Sequence, residues 1–206
     1  MCYHIPMKGE HVIKILTLSG SSGSGKTSIV QEILKRRDHT CMLSSITTRI
    51  PRVSDVPGEY IHVGKEEFDA RKSRGEFLEY DEPHGDCYGT LRSSFHKALQ
   101  GDGLRVKAIS LKGAEALYGA APDAVVPFYI IPPPEATLRD RLRRRGDNED
   151  LLEKRIADCI SWYEKARHSS IPFVMITNDG ALSEVLDQIT QHLRYRSQHL
   201  EIDHVL

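Results

Sequence analysis

The chain has 206 residues, with 28 Lys plus Arg against 29 Asp plus Glu and a formal net charge of -1. That length holds one α/β domain with at most a small inserted lobe, and the balanced charge excludes a global basic field for nucleic acid or an anionic membrane. Cys2, Cys41, Cys87 and Cys159 are widely spaced, and no stretch has signal-peptide or membrane-span character, so the composition reads as a soluble cytoplasmic protein with reduced thiols.

Val12 to Leu18 is an apolar strand that runs into Gly20-Ser21-Ser22-Gly23-Ser24-Gly25-Lys26-Thr27, and Ser28 to Lys35 follows as an amphipathic helix. The spacing fits G-x-x-x-x-G-K-[ST], a loop whose backbone N–H groups surround a phosphate at a helix N-terminus. Glycines at 20, 23 and 25 permit the necessary angles. Lys26 supplies a point charge to the outer phosphates, and Thr27 offers its hydroxyl to Mg2+. A glycine-rich turn that merely ends in Lys-Thr would not explain the strand before it and the helix after it. Binding of a nucleoside triphosphate is the expectation.

Cys41 to Ile46 reads as one short buried strand, followed by Thr47-Thr48-Arg49-Ile50-Pro51-Arg52. Two arginines about a proline read equally as a pair held towards one anion or as solvated surface charges. From Val53 to Tyr80 the texture changes to short β pieces around a helix anchored by Phe68, with turn clusters at Ser54 to Gly58 and Pro83 to Asp86. This segment suggests a lobe inserted over about 47–90.

Alternation then resumes: helix Leu91 to Gln100, strand Leu104 to Ile109, helix Gly113 to Tyr118, and strand Val125 to Ile131 closed by three prolines. Helices Glu135 to Arg145 and Glu149 to Ser169, a strand Phe173 to Ile176, a helix Leu182 to Leu193 and a loosely held tail at 197–206 complete the chain. On composition alone, Arg141 to Gly146 is a solvated helix end favoured by the helix dipole. The fold class is α/β: a P-loop parallel sheet sandwiched by helices, with core segments of about 12–46 and 91–193.

Several segments taken together resemble the guanylate kinase family, P-loop enzymes that move a phosphoryl group from ATP to GMP. They are GSSGSGKT, SSITTRIPR at 44–52, GEY at 58–60, GEFLEY at 75–80, CYGT at 87–90, RLRRRG at 141–146 and the late Asn178-Asp179. The resemblance implies a GMP-binding lobe, an Arg-rich lid over about 141–150, and Mg2+ carried with ATP. It assigns guanine to Ser45 and Glu79, the GMP phosphate to Arg49, Arg52, Tyr60 and Tyr88, and a place beside the base to Thr90. Lys26, Arg49, Arg141, Arg145 and Arg155 become the charge-stabilising set. The ATP site becomes Gly20 through Ser28 with Asn178. Guanine presents N1–H and an amino group on one edge, which suits the Glu79 carboxylate, while O6 asks for a donor such as Ser45.

Two departures stand out. The family usually carries Asp-Ile-Asp at the end of the central strand, where this chain has Ala108-Ile109-Ser110, so by the resemblance Ala108 replaces an acid that helps organise magnesium water and Ser110 replaces an acid for the guanine amino group. The loop between Arg52 and Tyr60 is also one residue short. Two other readings compete: a kinase of another phosphate acceptor such as ribose 1,5-bisphosphate, and a catalytically silent phosphopeptide-binding domain. Monomer and homodimer are both open.

Overall fold

The computed structural model describes residues 13–53, 55–144, 146 and 148–200. Strand β1 (Ile15–Ser19) is buried along its whole length and leads through the glycine loop into α1 (Lys26–Arg36). Four further strands join it: β2 (Thr40–Met42), β7 (Leu104–Ala108), β8 (Val125–Ile131) and β9 (Val174–Thr177). Every pairing among them is parallel, in the order β2-β7-β1-β8-β9. Strands buried on both faces need no polar alternation, and Ile15-Leu16-Thr17-Leu18 and Val125-Val126-Pro127-Phe128 show none.

Helices cover the two faces. On one, Ile29, Val30 and Ile33 of α1 and Val185, Leu186, Ile189 and Leu193 of α7 (Leu182–Leu200) pack on Leu16, Leu18, Val126 and Phe128. On the other, Phe95 and Ala98 of α3 (Arg92–Gln100) and Leu117 of α4 (Leu111–Ala120) pack on Ile15, Leu43 and Val125. Helices α5 (Glu135–Arg144) and α6 (Glu149–Arg167) pair through Leu138, Leu142, Leu152, Ile156 and Cys159.

The inserted lobe is a second sheet, in the order β4-β3-β6-β5, built from β3 (Ser45–Thr47), β4 (Tyr60–His62), β5 (Phe77–Asp81) and β6 (Tyr88–Leu91). Helix α2 (Lys65–Ser73) lies on it by stacking Phe68 on Phe77 at 4.6 Å between ring centroids, beside Ile46 and Cys87.

Three local expectations change. The single strand expected at Cys41 to Ile46 is two strands in different sheets: β2 ends at Met42, and β3 starts the lobe at Ser45. Its first half is an edge strand with Cys41 exposed, so it is not buried as expected. Helix α4 starts before Gly113 because the Ser110 hydroxyl oxygen accepts from the Gly113 N–H at 3.2 Å and caps it. Helix α7 continues to Leu200, through the start of the expected tail; 201–206 lie outside the described residues.

Candidate active site

The glycine loop joins β1 to α1 and is gripped from three sides. The Asn178 amide donates to the Ser24 carbonyl at 2.6 Å, Arg141 Nη1 donates to the Gly23 carbonyl at 3.4 Å, and the Ser21 hydroxyl lies 2.9 Å from Cys159 Sγ. Gly23 and Gly25 take φ of 81° and 96°; a Cβ at 23 would sit 2.6 Å from Leu138 Cδ1, and one at 25 would collide with Asn178 Nδ2. Lys26 Nζ donates to the carbonyls of Gly20 and Ser21 at 2.6 and 2.9 Å, so its charge is held at the mouth of the loop.

One cavity of about 1150 Å³ opens from this loop and reaches the inserted lobe. Gly20, Ser21, Ser22, Gly23, Gly25, Lys26, Thr27 and Ser28 line one part, and Arg141, Arg144, Arg155 and Asn178 also face it. Its lobe part is lined by Ser45, Arg52, Tyr60, Glu79 and Tyr88, with Ala108 and Ser110 contributed by the end of β7. The expected ATP and GMP residues are thus largely brought together.

Three expected residues stand behind the lining. Ser24 is fully buried in the loop. Thr90, also buried, donates its hydroxyl to Glu79 Oε1 and fixes the carboxylate. Arg49 is only 6 % exposed: Nη2 pairs with Asp55 Oδ1 at 2.6 Å, Nη1 donates to the Ile50 carbonyl, and the guanidinium lies 4.8 Å from the Tyr60 ring centroid. Arg145 lies outside the described residues.

Asp55 was invisible as a site residue, because its role depends on a turn that folds it back. Its other oxygen accepts the Arg52 N–H at 2.9 Å. Burial pushes this carboxyl up, but the Arg52 N–H and the Arg49 guanidinium outweigh that and hold it below its ordinary range. Burial also raises the pKa of Tyr60 and Tyr88, whose rings meet edge to face at 6.0 Å, so both phenols stay protonated donors at neutral pH. Arg144, Lys154 and Trp162 line the cavity too. Only Arg144, inside RLRRRG, had a neighbouring signal.

Among the described residues no group of three or more His, Cys, Asp or Glu could hold a metal. Thr27 in the first turn of α1 lines the cavity and offers one hydroxyl oxygen there. Mg2+ keeps several waters and is commonly bound through one or two protein groups plus substrate phosphates, so the residues present fit it.

A phosphate loop and a carboxylate-bearing pocket that share one cavity are laid out for two nucleotides at once. That layout, on this strand order, is the P-loop nucleoside monophosphate kinase class. The guanylate kinase family model matches residues 12–196. A guanylate kinase of Maricaulis maris is 36 % identical over 182 residues, covering 85 % of this chain and 81 % of its own; one of Xylella fastidiosa is 34 % identical, covering 91 % and 92 %. The crystal structure of guanylate kinase from Anaplasma phagocytophilum superposes with a TM-score of 0.62 at 25 % identity, covering 92 % of this chain and 88 % of that one. The chain belongs to the guanylate kinase family.

Proposed function

We propose that this chain transfers the terminal phosphoryl group of ATP to GMP. One observation carries the reading: the cavity runs unbroken from Lys26 to Glu79. The loop N–H groups and Lys26 hold the β- and γ-phosphates, and Arg141 and Arg155 add charge where negative charge develops in transfer. Arg145 belongs to the same proposed set. Thr27 would ligate Mg2+, which supplies neutralising charge on the phosphates when bound.

On the acceptor side, Arg52 and the phenols of Tyr60 and Tyr88 hold the GMP phosphate. Arg49, its charge paired with Asp55, stands behind Tyr60 and holds that ring in place at the cavity wall. Glu79, fixed by Thr90, receives guanine N1–H and the amino group, and Ser45 donates to O6. An adenine would set an acceptor nitrogen against Glu79, which disfavours AMP. Ser110 has one lone pair committed to the α4 cap, so it contributes at most a weak bond to the amino group.

The domain organisation follows: a core, a GMP lobe from Ser45, and a lid formed by the α5–α6 turn. A cytoplasmic setting accords with there being no helix, among the described residues, long and apolar enough to cross a membrane. Nothing in the comparisons favours the ribose bisphosphate or phosphopeptide readings.

Glu79→Gln tests the acceptor assignment by calorimetric titration. GMP affinity is expected to fall at least tenfold, from loss of charge-assisted bonds, with ATP affinity unchanged. Equal GMP affinity in the variant contradicts the assignment.

A further inference from the structure

Lys107 is the residue for which the mechanism has no use. It sits on β7, is 1 % exposed, and is the only lysine in the buried core among the described residues. Its Nζ donates to the Leu43 carbonyl at 3.1 Å and to the Ser45 hydroxyl oxygen at 2.5 Å. No carboxylate among the described residues lies at ion-pair distance from it. Glu79 of β5 and Glu59 before β4 act on it only through their fields. A buried ammonium without an ion partner is a costly feature, and an aliphatic side chain would fill the same space.

The geometry gives that ammonium a consequence. A hydroxyl has one donor hydrogen, and an oxygen that accepts from an ammonium must turn its own hydrogen away. The Ser45 hydroxyl donates to no acceptor among the described residues, and Ser45 lines the lobe part of the cavity. Its hydrogen is therefore left for a ligand that presents an acceptor.

We infer that Lys107 is a positioning residue for base selection: it holds the Ser45 hydroxyl as an obligate donor, and so sets the preference for a 6-oxopurine over purines without an oxygen at that place. The inference rests on the guanylate reading of the site, which it deepens. Without the ammonium, the hydroxyl rotates freely and accepts as readily as it donates. The same loss occurs on deprotonation, because a neutral amine can itself accept from Ser45. Burial pushes Lys107 down to about 8, against the upward pull of Glu79 and Glu59, so deprotonation falls in an accessible range.

The test uses the full chain with ATP and Mg2+, comparing GMP with 2-aminopurine riboside monophosphate, which keeps the amino group but lacks both O6 and N1–H, so the change in each KM on substitution is what is read. In Lys107→Met the KM for GMP is expected to rise roughly tenfold with kcat little changed, while the KM for the analogue stays put. In a Ser45→Ala background, Lys107→Met adds no further loss. A GMP KM that is unchanged, or that rises in step with the analogue, shows a mere staple between the sheets and overturns the inference. If Lys107→Met fails to fold, the wild-type profile decides: KM for GMP rises as the pH is taken from neutral through about 8 while that for the analogue stays flat, and a flat GMP profile overturns it. A wild-type protein indifferent between the two nucleotides removes the guanylate reading itself, a result distinct from a GMP KM that is unmoved by the loss of Lys107 while Glu79 still favours GMP.

Discussion

Lys26 and Asp55 show how single residues divide between serving the ligand and serving the fold. The Lys26 ammonium donates to the carbonyls of the loop that it is proposed to serve, so Lys26→Ala should abolish phosphoryl transfer while thermal unfolding stays close to wild type. Turnover that survives the substitution would end the P-loop kinase account. Asp55 neutralises a nearly buried Arg49, so Asp55→Asn should destabilise the protein at pH 7 by about 1 kcal/mol or more, limited by the acceptor oxygen that asparagine keeps for the Arg52 N–H or the guanidinium. The sign with pH follows from the lowered carboxyl: the folded state binds fewer protons than the unfolded one. The contribution is therefore complete above the ordinary carboxyl pKa of about 3.8 and is lost as pH falls through the folded value. Denaturant titrations of both proteins should converge on acidification; a gap that widens would contradict the pairing.

At the scale of elements, what could be read in the sequence is what is local. The phosphate loop was legible because its chemistry lies within eight consecutive residues flanked by a strand and a helix. The break between β2 and β3 was not, because Cys41 to Ile46 carries no glycine or proline, and only the divergence of two sheets separates Met42 from Ser45. Lys107 and Asp55 were missed for the same reason: a lysine in a strand and an aspartate in a turn look like surface until the partner across the fold is known. Ser110 is a mixed case, since the sequence pointed to it as a weak base contact and the structure gives it a cap. Ser110→Ala should cost about 1 kcal/mol of stability, whereas Ser110→Asp keeps the cap. With Ala108→Asp added, the pair should lower the GMP KM roughly tenfold and reduce the Mg2+ requirement. Retained stability with neither kinetic gain would mean that these positions do not serve base and metal here.

Across the whole molecule, two sheets meet at one cavity, and the chain crosses between them at Leu43-Ser44 and again where Leu91 passes into α3. The core sheet presents the phosphate loop at the C-terminal end of β1, where open α/β sheets bind ligands. The lobe carries the carboxylate and phenols across from it. The α5–α6 pair shares its own apolar cluster, Arg139 of α5 reaches Glu153 of α6, and Arg141 and Cys159 dock the pair against the glycine loop. The proposed function has the donor and a specific acceptor held together in that cavity. Initial rates of ADP formation, with ATP and Mg2+ against GMP, dGMP, AMP, UMP, dTMP and ribose 1,5-bisphosphate, test this most directly. The account predicts GMP as the best acceptor, with AMP and the pyrimidine nucleotides poorer by orders of magnitude; equal rates with AMP or UMP, or activity confined to ribose 1,5-bisphosphate, would contradict it.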